Sequence, residues 1–166
     1  MAEAIVRNIG EGERRWFFGG GTHVWKALAE EIMEIKVSKE SGRVPVTVMH
    51  VDGNIDSSTY EKFQSTAKQI IDEGARYILV DLSHAPFVSS AGLRALHAIF
   101  NELRTHNPEA NLSDEQMRKG ISAGTYKSPH LKLLNLSPET RTAFETSGFD
   151  MYIETYTDMK SALASF

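Results

Sequence analysis

Two adjacent hydroxyls, Ser89 and Ser90, are the side chains of this 166-residue chain whose surroundings most resemble a place for chemistry. They follow an apolar run, Tyr77 to Leu82, and the turn residues Ser83-His84-Ala85-Pro86, and they precede Leu93, Leu96, Phe100 and Leu103 at helical spacing. The pattern predicts a strand, a turn and a helix, with one serine as the N-cap and both hydroxyls at the exposed mouth of the unit. Nucleophilic catalysis is one use of such a hydroxyl. Ser90-Ala91-Gly92 is half of a Gly-x-Ser-x-Gly elbow, but Val88 stands where the first glycine belongs. The remaining members of a triad, Asp114 and His130, share no motif with it, so no catalytic residue is expected.

Other chemistries fare no better. The absence of cysteine rules out disulfides, thiolate metal sites and a thiol nucleophile. None of the six histidines pairs at i, i+4 or in a His-Glu-x-x-His arrangement, and no metal site is expected. Gly19-Gly20-Gly21 lacks the Gly-Lys-Ser or Gly-Lys-Thr ending that a phosphate loop needs. The net charge of −4, with scattered basic residues, leaves no electrostatic footprint for nucleic acid or an anionic membrane. No apolar run reaches the roughly 18 residues of a membrane span, and no basic-then-apolar leader opens the chain. The expectation is one soluble, cytoplasmic domain.

The elements that would position the serines can be read in order. Residues 1–32 form an extension whose Arg14 to Phe18 run suits a hairpin strand, while Val24, Leu28 and Ile32 suit a helix; both readings stand. Met33 to Lys39 alternates as a half-buried strand, Ser41-Gly42 turns, and Val44 to Val51 returns as its hairpin partner. After the loop Asp52 to Asp56, Ser58-Thr59-Tyr60-Glu61 has the form of a capping box opening a helix that Gly74 closes. Residues 105–128 are polar and broken by Pro108, Gly120 and Gly124, as in an insertion, with one short helix capped at Ser113. A strand at His130 to Leu136, a helix capped by Ser137-Pro138, a strand at Met151 to Tyr156 and a terminal helix complete the chain. Strand and helix alternate after the hairpin, which implies an α/β fold with a mixed, mainly parallel sheet whose first strand is antiparallel.

The Phe87-Val88-Ser89-Ser90-Ala91-Gly92-Leu93 stretch, directly after a strand ending in Asp81-Leu82-Ser83, resembles the signature of the STAS domain. Gly53-Asn54-Ile55-Asp56 is similar to that family's Gly-x-Leu/Ile-Asp loop, and the resemblance covers residues 33–166, interrupted near 105–128. It implies a STAS-like fold and a non-enzymatic role as an anti-sigma factor antagonist or stressosome component, a phosphoprotein of bacterial signalling and transcription regulation. Ser90 maps onto the phosphorylated position, with Ser89 as second choice where better-known relatives carry Asp. The implied docking surface is Asn54, Asp56, Ser89, Ser90, Gly92, Leu93 and Arg94. The implied partners are an anti-sigma factor acting as serine kinase, which brings ATP and magnesium, and a phosphatase. No cofactor is expected in this chain, and residues 1–32 could pair two copies. The alternative is a constitutive scaffold, or a module for a small anion or nucleotide, in which the serines only cap the helix.

Overall fold

The computed structural model describes residues 5–8, 14–17, 33–107 and 112–166. Near the N-terminus β1 (Ile5–Asn8) and β2 (Arg14–Phe17) pair antiparallel as a two-stranded sheet of their own. The glycine triplet and the Val24 to Ile32 repeat lie outside the described residues, as does the pairing of two copies through them.

The five-stranded sheet has the order β3-β4-β5-β6-β7. β3 (Glu34–Ser41) and β4 (Pro45–Asp52) form the expected antiparallel hairpin. β4, β5 (Ile78–His84), β6 (Leu131–Leu134) and β7 (Glu154–Tyr156) run parallel. Helices make the crossovers: α1 (Tyr60–Asp72), α2 (Ser90–His106), α3 (Asp114–Ser122), α4 (Pro138–Thr146) and, at the end, α5 (Met159–Ala164).

Alternation along the strands sends residues to two cores. Met49, Ile78, Val80, Leu82, Leu131 and Leu133 meet Phe63, Leu96, Phe100 and Phe144 of α1, α2 and α4 on one face. Val46, Val48, Leu79 and Leu134 meet Ala162 of α5 on the other. The middle of β5 is therefore buried on both sides, which explains why it reads as a continuous apolar run and not as an alternation. On the α5 face Lys132 takes a buried position, its ammonium held by Glu154 at 2.6 Å and the Ser165 carbonyl at 3.0 Å.

Three local readings are corrected. The Ser58 to Glu61 capping box does not form; the Asp56 carboxylate accepts from the Ser58 N–H at 2.9 Å and hydroxyl at 2.6 Å, and Thr59 becomes the N-cap residue. The short Asp side chain reaches the turn two residues on before a Glu a full helical turn away can reach back. The last strand is shorter than Met151 to Tyr156, because Phe149–Met151 is a turn of 3-10 helix. Within the segment read as an insertion, α3 has its Ser113–Gln116 capping box and buries no residue, but Ser128 is structural. It is buried, its N–H donates to the Tyr152 carbonyl at 2.7 Å, and its hydroxyl accepts from the Leu131 N–H at 3.2 Å at the start of β6.

Candidate functional site

The site is built where two loops run side by side. After β4 the chain continues along the loop that follows β5. The Gly53 N–H donates to the His84 carbonyl at 2.9 Å, the Ile55 N–H to Phe87 at 3.0 Å, and the Ser89 N–H back to Ile55 at 2.8 Å. This short parallel bridge, centred on Ile55 and Val88, brings Asn54 and Asp56 beside the start of α2. Thr59 pins the first loop from below: its hydroxyl accepts from the Asp56 N–H at 2.9 Å and donates to the Asn54 carbonyl at 2.7 Å. Asp56, hydrogen-bonded by the Ser58 hydroxyl and N–H, is held below the usual carboxylate range and is ionised at neutral pH.

The two serines divide their roles. Ser89 is extended, half-buried, and its hydroxyl accepts from the Gly92 N–H at 3.4 Å, so it is the N-cap. Ser90 is the first helical residue and is exposed, and among the described residues its hydroxyl has no hydrogen-bond partner. Arg94, one turn on, is exposed as well.

Gly92 and Leu93 are not part of the surface. Leu93 is 4 % exposed and belongs to the core, as its helical spacing with Leu96 and Phe100 requires. Gly92 is buried under the neighbouring loop. A Cβ there would lie 2.8 Å from the Ile55 carbonyl oxygen and 2.7 Å from Val88 Cγ1. The glycine admits this protein's own backbone, not a partner's. Asn54 is only half-exposed, and its side-chain oxygen is buried with no hydrogen-bond partner among the described residues. Two residues outside the expected docking set belong here instead. Phe87, 48 % exposed, is one of four large apolar side chains left in solvent among the described residues, and Thr59 fixes the loop beside it. Phe87 could have been suspected from the surplus aromatic in a turn; Thr59 could not, because its two partners are backbone groups of a loop.

The structure does not gather the residues of a hydrolase around Ser90. Asp114 pairs with Arg104 at 3.3 Å, and His130 is buried with its ring 5.2 Å from that of Tyr77. One group of metal-ligating side chains does converge, Asp72, Glu102 and His106, with one donor atom each inside 4.8 Å. The Lys68 ammonium already sits 3.2 Å from Asp72 and 3.3 Å from Glu102, so the cluster is a charge-compensated ion-pair network. Among the described residues no helix is long and apolar enough to cross a membrane.

Comparison with known proteins finds similar sequences and folds. The STAS domain family profile matches residues 36–114. A Bordetella bronchiseptica protein named for an anti-sigma factor antagonist role, BtrV, is 25 % identical over 134 residues, 81 % of this chain and 95 % of its own length. An anti-sigma factor antagonist from Mycobacterium paratuberculosis superposes with a TM-score of 0.58 at 21 % identity, over 80 % of this chain and 92 % of that one. The phosphorylated form of the Bacillus cell fate determinant SpoIIAA gives 0.52 at 18 % identity, over 78 % of this chain and 96 % of its own. Over residues 36–114 the chain is similar to the STAS domain, and the Gly53 to Asp56 loop and the Ser89-Ser90 helix start both fall within that stretch, joined by the Ile55–Val88 bridge.

Proposed function

We propose that this chain is a regulatory binding module of the anti-sigma factor antagonist type, switched off by phosphorylation of Ser90 in a partner-switching pathway. The observation that carries the reading is the division of labour at the start of α2: the Ser89 hydroxyl is committed to the helix cap, whereas the Ser90 hydroxyl is exposed and unengaged among the described residues. A phosphoryl group on Ser90 would add about −1.5 to −2 charges beside the N-terminal N–H groups of α2, where the helix dipole receives an anion. The domain would keep its fold. A partner that had covered Phe87, Ser90 and Arg94 would have to desolvate a dianion next to the ionised Asp56, which costs several kcal/mol, on the order of ~3. The partner is an anti-sigma factor that is itself the serine kinase and supplies ATP and magnesium, and a phosphatase restores binding.

The decisive experiment has two arms. Mass spectrometry of the chain isolated from its own host should place phosphate on Ser90, and binding to the cognate kinase should fall about tenfold or more in Ser90→Asp while Ser90→Ala binds constitutively. Phe87→Ala should weaken the same complex without changing the melting temperature, as loss of an exposed apolar anchor does. Phosphate confined to Ser89, or wild-type affinity in Ser90→Asp, would sink the reading.

A further inference from the structure

The sheet face that α5 leaves partly open carries another serine, in a setting unlike any other among the described residues. Ser38 on β3, His50 on β4 and Asp81 on β5 lie on one face of three consecutive strands. Their order follows from the register, in which Ser38 faces Val48 and His50 faces Asp81. The Ser38 hydroxyl is 3.0 Å from His50 Nε2, and His50 Nδ1 is 3.0 Å from the Asp81 carboxylate.

Asp81 is itself fixed. Its other oxygen accepts from the Ser83 N–H at 3.0 Å and from the Ser83 hydroxyl, which in turn accepts from Asn135 Nδ2 at 2.8 Å. Asn135 adopts a left-handed backbone, φ 57°, to deliver that amide. The carboxylate, partly buried but hydrogen-bonded on both oxygens, stays below its usual range and is ionised. An ionised carboxylate only accepts, so His50 Nδ1 must carry the proton that it shares with Asp81. In the neutral ring this leaves the Nε2 lone pair as the acceptor for the Ser38 hydroxyl proton. These are the relations of a nucleophile, a general base and the group that orients the base.

Access is open as well. The His50 side chain is 38 % exposed, against 14 % for Asp81, and Ser38 is half-buried on the edge strand of the sheet. The Thr47 N–H bonds the Tyr77 carbonyl, so odd-numbered residues of β4 turn their backbone toward β5 and even-numbered ones toward β3. Opposite them, Lys36 and Ser38 bond inward, and among the described residues the N–H groups of Val37 and Lys39 face out of the edge in the plane of the sheet.

We propose that Ser38 is a reactive nucleophile, activated by His50 and Asp81, that accepts an acyl group from an activated ester or thioester. The Ser38 oxygen bonds to the carbonyl carbon while its proton passes to His50 Nε2. The bond to the leaving alcohol or thiol then breaks, and the same proton departs with it. No oxidant or reductant takes part. The site lies on different residues from the Ser90 surface and does not depend on the switch reading.

The probe is p-nitrophenyl acetate, applied to the full chain, with release of p-nitrophenolate followed optically and the acetylated residue located by tandem mass spectrometry. The expected result is acetylation at Ser38 that disappears in Ser38→Ala and slows at least about tenfold in His50→Gln and Asp81→Asn, since general-base assistance contributes about a hundredfold or more. Thermal melts of each variant establish that the fold persists. If His50→Gln fails to fold, Asp81→Asn and Ser38→Ala carry the comparison. Acetyl groups found on lysines or on His50 in place of Ser38, no labelling of Ser38, or an unchanged Ser38 rate in the folded base variants would each overturn the proposal.

Discussion

The Ser89 N–H donates to the Ile55 carbonyl at 2.8 Å, and this one bond ties the start of α2 to a loop more than thirty residues earlier in the chain. Because the same carbonyl oxygen lies 2.8 Å from where a Gly92 Cβ would stand, loop, cap and glycine form one packing unit. The shape of the Ser90 surface follows from it.

Gly92→Ala tests that unit directly. The added methyl would meet a backbone oxygen that cannot rotate away and the Val88 side chain at 2.7 Å, so the loop must move. Overpacking of this kind costs about 1–3 kcal/mol. The expected outcome is a clearly lowered melting temperature with altered backbone NMR shifts from Asn54 to Asp56. A wild-type melting curve would show that the loop adapts freely.

The two serines should separate in stability. Ser89→Ala removes the cap hydroxyl bonded to the Gly92 N–H and should cost about 0.5–2 kcal/mol, whereas Ser90→Ala should stay within about 0.5 kcal/mol of wild type. Chemical denaturation of both variants measures this. Equal losses would mean that the caps are shared.

The segment between α2 and β6 should divide in the same manner. Replacing residues 112–122 by a flexible linker of equal length should leave a folded domain, because α3 buries none of its residues and Met117 is only partly buried against the core. Ser128→Ala should cost more, about 1–3 kcal/mol, since it strips the Leu131 N–H of its partner in a buried site. Comparing unfolding midpoints decides it, and the reverse ranking would make α3 the structural part.

Acid sensitivity should begin with His130. The residue is 8 % exposed, its Nδ1 has no hydrogen-bond partner among the described residues, and burial pushes its pKa below 6.5 against a weaker pull from the Arg76 backbone. The unfolded chain therefore takes up this proton first. Stability is complete above about pH 6.5 and falls as the pH drops toward the lowered folded value. Asp56, Asp81 and Glu154, all held low, add their losses only in the carboxylate range near and below about pH 4. In His130→Gln the stability profile just below about pH 6.5 should flatten. An unchanged slope there would assign that window to another group.

By itself the sequence determined the elements whose signals are local. The β3–β4 alternation, the Ser113 box, the Ser137-Pro138 helix start and the Ser89-Ser90 cap all rest on residues within one turn or strand of each other, where steric and hydrogen-bond preferences act without outside help. The approach of the Gly53 to Asp56 loop to the serines was legible only through resemblance. Which side chains of that region face outward was decided by tertiary packing: Leu93 and Gly92 turn inward because α2 lies on the sheet and under the loop, and Phe87 stays out because Ala85 and Val88 already fill the interior beside it. The Ser38–His50–Asp81 chain shows the limit most sharply. Its members are 12 and 31 positions apart, each unremarkable within its own strand, and only the pairing register of three strands sets their side chains on one face within hydrogen-bond reach. Register arises from the whole sheet closing on its core, a cooperative property that no single stretch of sequence contains.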